Sequence, residues 1–316
     1  MRKIIMNNLM NNEKHYVTLN NYLKDKYGQK VFRIPLNANM SCPNRDSSID
    51  HTGCLYCSKN LSGDFAGKKE LNFKEQFESI KQIMEKKWRD GLYIAYLQAG
   101  TNTYADPVYL KRIYEEIISL DDKIVVLSIA TRPDCISKEI IDVLLEIKKK
   151  KEIWIELGFQ TMHDTTKDYL HIGYHNSDFE KAMHLLNEAD IPVIVHIING
   201  LPEETVDMMI DTVKYLNNFT FQGIKIHMLH ILKDTPLGDI YLDKPFKVLT
   251  KDEFIDVSVK QLRLLNPSIV IHRITGDPVK EDLIEPFWVL KKFVVLNDID
   301  KLMRKEKYYQ GDLWQK

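Results

Sequence analysis

The sequence predicts an α/β protein whose core is a partial barrel of six β/α units. Three observations support this fold class. Short apolar runs alternate six times with segments of helical periodicity, which is typical of parallel β/α units. No Gly-x-Gly-x-x-Gly follows the first strand, which weakens the alternative of a doubly wound dinucleotide fold. The distinctive polar residues all follow strand ends, where parallel barrels carry their chemistry.

Taken in order, residues 1 to about 12 are expected to be frayed, and a helix is predicted over Tyr16–Tyr27, closed by Gly28. The predicted strands are 31–37, 93–99, 123–130, 151–159, 192–199 and 223–231. The predicted helices that follow them are 72–89, 107–119, 137–150, 176–190, 203–217 and 251–265.

Beyond residue 265 we predict one more strand at Ile269–His272, a helix from about 280 and a basic, aromatic tail. The expected organisation is therefore an N-terminal helical extension (1–30), a barrel core (31–231) and a C-terminal region (232–316). We expect the C-terminal region to complete the barrel and cover its open side.

Composition narrows the functional classes. The chain has 316 residues, 44% of them hydrophobic and 28% charged, as in a globular protein with a sizeable core. The net charge of −1 gives no global attraction to nucleic acid, so any RNA contact needs a local patch. Four cysteines, three of them clustered, suit a reducing cytoplasm better than a disulfide framework. We expect no signal peptide and no membrane span.

Three cysteines, Cys42, Cys54 and Cys57, lie on one loop after the first predicted strand. Three thiolates make an incomplete soft-metal site, because both zinc and cubane iron–sulfur clusters take four ligands. His51 could complete a structural zinc site. A [4Fe–4S] cluster with three cysteines would instead leave one iron open, and Tyr56 beside the third cysteine favours this interpretation because its ring could lie against a nucleobase.

Polar residues at the next strand ends are candidate binding groups. The segment Gln98–Thr103 contains Gly100, which permits close backbone approach to a ligand, although an ordinary turn explains it equally well. Arg132 and Asp134 end the third strand, and the fourth strand carries Glu156 and Gln160. An arginine and a glutamate in apolar strands need partners, so Arg132 and Glu156 either pair with each other or serve a ligand.

The later strands are more ambiguous. The acids after Gly200 are explained by the first turn of a helix, where the helix dipole favours them. His196, His227 and His230 are more typical of hydrogen-bonded core histidines than of ligands.

The cluster Lys148–Lys151 falls at the bottom of the barrel and is interpreted as a solvated face. The lone Cys135 is interpreted as a packed side chain.

Taken together, the motifs resemble the radical S-adenosylmethionine (SAM) enzymes, and the resemblance covers nearly the whole chain. The Cys-x-aromatic-Cys ending, the Gly158–Thr161 segment, Gly200–Glu203, Leu232–Leu237 and Ile271–Asp277 resemble an elongator-like bacterial subgroup. Members of this subgroup are implicated in modifying the wobble uridine of tRNA. One departure is that His171 and Ile172 stand where members carry an arginine pair, which removes a potential carboxylate clamp.

The resemblance implies the cofactors and their contacts. Cys42, Cys54 and Cys57 would hold a [4Fe–4S] cluster, reduced by an external donor of flavodoxin or ferredoxin type. The expected SAM-binding residues are Tyr56, Gln98, Gly100, Thr101, Glu156, Gln160 and Gly200. The expected substrate-binding residues are Arg132, Asp134, His196, Arg273 and Tyr309.

The expected activity is formation of a 5′-deoxyadenosyl radical from SAM that modifies a tRNA nucleoside. A small-molecule substrate is the main alternative, and a zinc-stabilised binding module is the remote one. The tail, in which Arg304, Lys305 and Lys307 alternate with aromatic residues, would either contact RNA or dock on its own barrel.

Overall fold

A computed structural model describes residues 14–86 and 90–315 of the chain. The predicted frayed segment therefore lies outside the described residues, as does the end of the helix predicted over 72–89. Seven parallel strands form one curled sheet in the order β1-β2-β3-β4-β5-β6-β8, and β7 and β9 form a separate antiparallel pair. The partial α/β barrel predicted from the sequence is confirmed, and its seventh strand, β8, corresponds to the additional strand predicted at Ile269–His272.

The strands are β1 (Val31–Leu36), β2 (Leu92–Leu97), β3 (Ile124–Thr131), β4 (Glu152–Gln160), β5 (Val193–Asn199), β6 (Gly223–Met228), β7 (Ile231–Leu232), β8 (Val270–Ile274) and β9 (Leu283–Glu285). The α-helices of the described residues are α1 (Leu19–Tyr27), α2 (Phe73–Glu85), α3 (Pro107–Ile118), α4 (Lys138–Lys148), α5 (Asp164–Tyr169), α6 (Asn176–Glu188), α7 (Val206–Leu216), α8 (Pro236–Asp243), α9 (Lys251–Leu264) and α10 (Lys292–Lys305). Each of these helices is too short or too polar to cross a lipid bilayer.

The first helix begins later than the sequence predicts. Its N-cap is Thr18, whose Oγ1 accepts a hydrogen bond from the Asn21 backbone N–H at 3.2 Å. Thr18 forms an isolated parallel bridge with Ile271 of β8 instead, and the Ile271 N–H donates to the Val17 carbonyl at 2.8 Å. The N-terminal segment therefore pairs with the edge strand β8, a long-range contact that local periodicity does not report.

The C-terminal helix also begins later than predicted. Residues near 280 form a loop and the strand β9, and α10 begins only at Lys292. Pro286 contributes to the difference, because the residue before a proline is disfavoured in helical conformation.

The strand side chains alternate between an outer core and the barrel interior. Outward residues such as Ile34, Ala95 and Leu127 pack under the surrounding helices. At the N-terminal end of the strands the interior is filled by apolar residues, including Ile94 and Trp154, which pack against Leu23 of α1. This packing closes the bottom of the barrel and leaves the end where the strands finish open to a ligand.

Candidate functional site

A cavity of about 640 Å³ occupies the barrel mouth, at the C-terminal ends of the strands. Twelve of the residues singled out from the sequence line it: Cys42, Cys54, Tyr56, Cys57, Gln98, Gly100, Thr101, Arg132, Glu156, Gln160, His196 and Arg273. Asp134, Gly200 and Tyr309 are not part of this lining. The cavity therefore brings together residues from loops that are far apart in the sequence.

The cysteine loop is held in place by two side chains within it. The Asn44 Nδ2 donates to the backbone carbonyls of His171 at 2.7 Å and Ile172 at 2.8 Å. The Arg45 guanidinium donates to the carbonyls of Cys57 at 2.9 Å and Ser58 at 3.1 Å. Asn44 thus fastens the loop to the chain after β4, whereas Arg45 folds the loop onto itself.

Each of the three thiols has a hydrogen-bond donor near its sulfur. Asn44 Nδ2 lies 3.4 Å from Cys54 Sγ, and Arg132 Nη1 lies 3.7 Å from Cys42 Sγ. Ser62 Oγ lies 4.0 Å from Cys57 Sγ. Donors around sulfur stabilise thiolate and tune the potential of an iron–sulfur cluster.

The three thiols also influence one another electrostatically. Burial raises the pKa of the Cys54 thiol to about 12, and the nearby Cys57 adds to the rise. Burial likewise raises the pKa of Cys57. Burial disfavours ionisation of these thiols, and so does the repulsion between the thiolates that would form. A bound metal cluster would relieve that repulsion.

The donor set fits a [4Fe–4S] cluster better than the zinc site considered as an alternative. The His51 side chain is 80% exposed and its Nδ1 faces Asp50 at 3.5 Å, outside the cavity lining. Across residues 14–86 and 90–315, no three His, Cys, Asp or Glu side chains, the three cysteines included, meet closely enough to hold one metal ion. In a cluster each cysteine would bind a different iron, so three soft thiols on one cavity wall, each with a polar group near its sulfur, fit a cluster.

The segment after β2 packs directly against the cysteine loop. Gly100 has a φ of +74°, and a Cβ there would lie 2.3 Å from the Met40 carbonyl oxygen. The Thr101 N–H donates to the Ser41 carbonyl at 3.1 Å, and Gln98 Nε2 donates to the Ser62 carbonyl at 2.9 Å. Gly100 is therefore required for a close backbone approach to the loop, which accounts for it without any ligand.

Arg132 does not pair with Glu156, contrary to one of the two expectations from the sequence. It forms a bidentate ion pair with Asp134, in which Nε lies 3.0 Å from Oδ1 and Nη2 lies 2.8 Å from Oδ2. Its guanidinium carbon lies 5.0 Å from the ring centroid of Tyr174. Asp134 therefore orients the arginine beside Cys42 from outside the cavity lining.

Glu156 is fully buried inside the barrel and is surrounded by donors from the protein. Its carboxylate accepts hydrogen bonds from Ser128 Oγ at 2.8 Å, from His196 Nε2 at 2.9 Å and from Lys225 Nζ. Arg33 Nη2 lies 3.4 Å away. The carboxylate thus has three hydrogen-bond donors and one further ion-pair partner within the protein, and its role as a direct SAM ligand stays a prediction.

Arg33 and Lys225 are site residues that the sequence analysis missed. Arg33 reaches across the open side of the barrel, and its Nη2 donates to Nδ1 of His272 on the other edge strand at 2.9 Å. Lys225 is almost fully buried, with its Nζ 4.5 Å from the ring centroid of Tyr96. The available signal was a charged residue at an inward position of an apolar strand. The same signal identified Glu156.

The charge state of this layer follows from its burial and mutual attraction. Although burial acts to raise it, the pKa of Glu156 is held well below its usual value by Lys225 and Arg33. Burial lowers the pKa of Lys225 to about 7, against the attraction of Glu156. Burial and the charge of Lys225 lower the pKa of His196 to about 4. At neutral pH Glu156 is an anion and His196 is neutral.

Two residues expected at the site lie elsewhere. Gly200 has a φ of +81° and packs behind the cavity against Met228 and Leu249. Tyr309 is 54% exposed and lies in the tail, which docks at the opposite end of the barrel. There the buried Gln310 side chain accepts from the Val17 N–H at 2.9 Å and donates to the Ile269 carbonyl at 2.8 Å. Of the two interpretations of the tail, docking on its own barrel accounts for these contacts.

The loop after β4 shows what replaces the missing arginine pair. Ile172 is fully buried in an apolar cluster with Leu55 and Tyr174. The His171 side chain points toward Asp50, with its Nδ1 3.7 Å from the carboxylate. These positions therefore stabilise the cysteine loop and offer no cation for a carboxylate.

Comparison with known proteins adds family information to this geometry. The profile of the Radical SAM superfamily matches residues 47–216, and that of the Radical SAM C-terminal domain matches residues 221–305. The Bacillus subtilis protein YtqA is 41% identical over 306 residues, which cover 97% of this chain and 95% of that protein.

More distant similarity links the chain to proteins named for tRNA. It is 26% identical over 136 residues to the tRNA uridine(34) acetyltransferase of Methanocaldococcus infernus, covering 42% of this chain and 25% of that protein. The structure of the archaeal M. infernus Elp3 superposes with a TM-score of 0.66 at 18% identity. That superposition covers 89% of this chain and 64% of the Elp3 chain, and it establishes the fold.

Proposed function

The chain belongs to the radical SAM superfamily, and from this premise we propose that Cys42, Cys54 and Cys57 hold a [4Fe–4S] cluster beside a bound SAM. Members of this family use both cofactors. When bound, the reduced cluster supplies the electron that cleaves SAM to methionine and a 5′-deoxyadenosyl radical. The single observation that carries the proposal is the convergence of the three thiols, each with a donor near its sulfur, on one cavity.

The protein's own contribution is binding, orientation and exclusion of water. Asn44 and Arg45 fix the ligand loop, and Arg132 brings a positive charge to the Cys42 sulfur. Tyr56, Gln98, Thr101 and Gln160 line the cavity next to the cysteines and are our proposed SAM contacts. The apolar floor below them, closed by Trp154 and Leu23, separates the site from solvent at the other end.

For the substrate we propose a tRNA nucleoside, a wobble uridine with its side chain. The similarity to a tRNA uridine(34) acetyltransferase supports this substrate class. An external flavodoxin or ferredoxin would supply the electron, and a reducing cytoplasm suits the four free cysteines. A flipped base would enter from the C-terminal ends of the strands, because the opposite end is closed.

The cofactor proposal is tested by anaerobic reconstitution of the full chain, with iron analysis, EPR and measurement of 5′-deoxyadenosine release. We expect wild type and Cys135→Ser to bind a cluster and release 5′-deoxyadenosine, and Cys57→Ser to do neither. Stoichiometric zinc without a cluster signal would refute the proposal.

The substrate proposal is tested by mass spectrometry of tRNA nucleosides from a deletion strain, its parent, and the deletion strain carrying either wild type or Cys57→Ser. One wobble-uridine derivative should accumulate in the deletion strain and in the Cys57→Ser strain only. Identical profiles under anaerobic growth would remove tRNA as the substrate and leave the small-molecule alternative.

A further inference from the structure

The inner part of the cavity, away from the cysteines, carries an excess of positive charge. Arg33, Lys225 and Arg273 line it from β1, β6 and β8. Glu156 is the carboxylate among them, and Asp277 at the rim is shared by Arg273 at 2.7 Å and Lys292 at 2.6 Å. Arg33, Arg273 and Lys292, joined by Lys225 when it is protonated, therefore face two carboxylates. Lys225 and Glu156 are buried and the other four groups are partly exposed, so an unbalanced charge is most costly around Lys225.

The histidines in the same wall do not add charge at neutral pH. Burial lowers the pKa of His230 to about 4, and burial together with His196 lowers the pKa of His227 well below its usual value. Neutral imidazoles can still donate or accept one hydrogen bond at each ring nitrogen. They supply polar contacts around the cations without repelling them.

Two buried polar atoms in this wall lack a partner. Among the residues that the structure describes, neither Arg33 Nε nor His230 Nε2 has a hydrogen-bond partner. Buried polar atoms of this kind are nearly always satisfied. The guanidinium N–H needs an acceptor, whereas the imidazole nitrogen donates or accepts according to its tautomer. An acceptor from a ligand would complete the wall.

We propose that Arg33, Lys225 and Arg273 form a subsite for an anionic group, a carboxylate or a phosphate, carried by the substrate. The inference rests on the proposed radical SAM function, because it names the chemistry of the group presented to that site. Arg33 and Arg273 supply planar N–H donors from opposite edge strands, and Lys225 supplies a point charge between them. Glu156 acts as the fixed counter-ion that holds Lys225 and Arg33 in position.

The position of this subsite distinguishes it from the cofactor region. Lys225 and Arg273 lie on β6 and β8, whereas the cysteine loop follows β1 and packs against the segments after β2 and β4. Arg33 lies on β1 itself, but its guanidinium reaches away from that loop to His272 on β8. The anionic group of a substrate would thus anchor on one side of the cavity while SAM occupies the other.

The test measures anion binding directly, by titration calorimetry on the anaerobic, cluster-loaded full chain at constant ionic strength. The probes are acetate and inorganic phosphate, with chloride as the reference anion. We expect saturable binding of one of the two, and the stronger probe identifies the class of group. Arg273→Gln should weaken that binding by about tenfold or more, as loss of one charge-assisted hydrogen bond does, and Arg273→Lys should recover part of it.

Arg263→Gln is the matched control. Arg263 is also a partly exposed arginine paired with an aspartate, Asp312 at 2.9 Å, but it lies in the tail-docking region. Lys225→Met provides a second variant, and circular dichroism melting checks that each variant is folded.

Three outcomes would overturn the inference: no saturable binding, equal loss in Arg273→Gln and Arg263→Gln, or displacement of the probe by SAM. The last result would assign the cations to the methionine carboxylate instead. An unchanged tRNA profile in the deletion strain would refute the proposed substrate without affecting anion binding, so the two failures are distinguishable.

Discussion

Replacing Asn44 by alanine tests how the cysteine loop is held. The substitution leaves the carbonyls of His171 and Ile172 without their side-chain donor and also removes the contact of Nδ2 with Cys54 Sγ. An orphaned buried polar group costs about 1–3 kcal/mol, and the His171 carbonyl is only partly buried. We therefore expect the docked loop to lose about 2–4 kcal/mol of stability.

This loss should appear as weaker cluster retention, because the docked loop presents Cys42 and Cys54 together. At about 1.4 kcal/mol per factor of ten, the expected drop in apparent affinity is about 30-fold to 700-fold. The assay is anaerobic reconstitution followed by a chelator challenge, with retained iron per chain and visible absorbance as readouts. Asn44→Asp should lose more than Asn44→Ala, because it places an acceptor against two carbonyl oxygens.

Asn60→Ala is the control for general fragility of the loop, since Asn60 is exposed and its Nδ2 donates only to Asp64 at 2.9 Å. Chelator resistance like that of wild type in Asn44→Ala would refute this account of the loop. Equal losses in Asn44→Ala and Asn60→Ala would show that the two carbonyl contacts are not the cause.

Three further predictions concern the charged layer and the tail. Glu156→Gln should destabilise the fold by about 3–5 kcal/mol in urea unfolding, because it leaves Lys225 and Arg33 without their counter-ion inside the barrel. An unchanged urea midpoint of unfolding would contradict this prediction. Acetate binding should weaken as the pH rises through about 7, because Lys225 is protonated below that pH and neutral above it, whereas acetate keeps its charge. A Lys225→Arg variant should bind acetate equally well at pH 6 and pH 9, about one to two units on either side of 7. The groups that face Lys225 in that experiment are Arg33, Tyr96, Glu156, His196, His227, His272 and Arg273. Gln310→Ala should lower the free energy of unfolding by about 2–4 kcal/mol in the same urea assay. It should leave the cluster content unchanged, because the buried contacts of Gln310 lie at the far end of the barrel. Loss of the cluster would show that the tail affects the site.

The sequence alone determined the architecture and placed the three cysteines on one loop. Strand and helix periodicities are local properties, and each apolar strand carries its own signal regardless of its neighbours. The spacing of Cys42, Cys54 and Cys57 after β1 likewise lies within one short stretch. These features could therefore be predicted from the sequence, one segment at a time.

What the tertiary structure decided is which partners meet. Glu156 stood out as a buried acid, but its partners Lys225 and Arg33 lie on strands 69 and 123 residues away in the chain, and only the curl of the sheet brings them together. Arg132, expected to pair with Glu156 or with a ligand, found Asp134 two residues away instead. Side-chain pairing inside a barrel depends on strand register and closure, which periodicity cannot report. The start of α1 and the placement of the tail differed from the sequence for the same reason, because Val17 and Gln310 are fixed by β8 and its flanking residues.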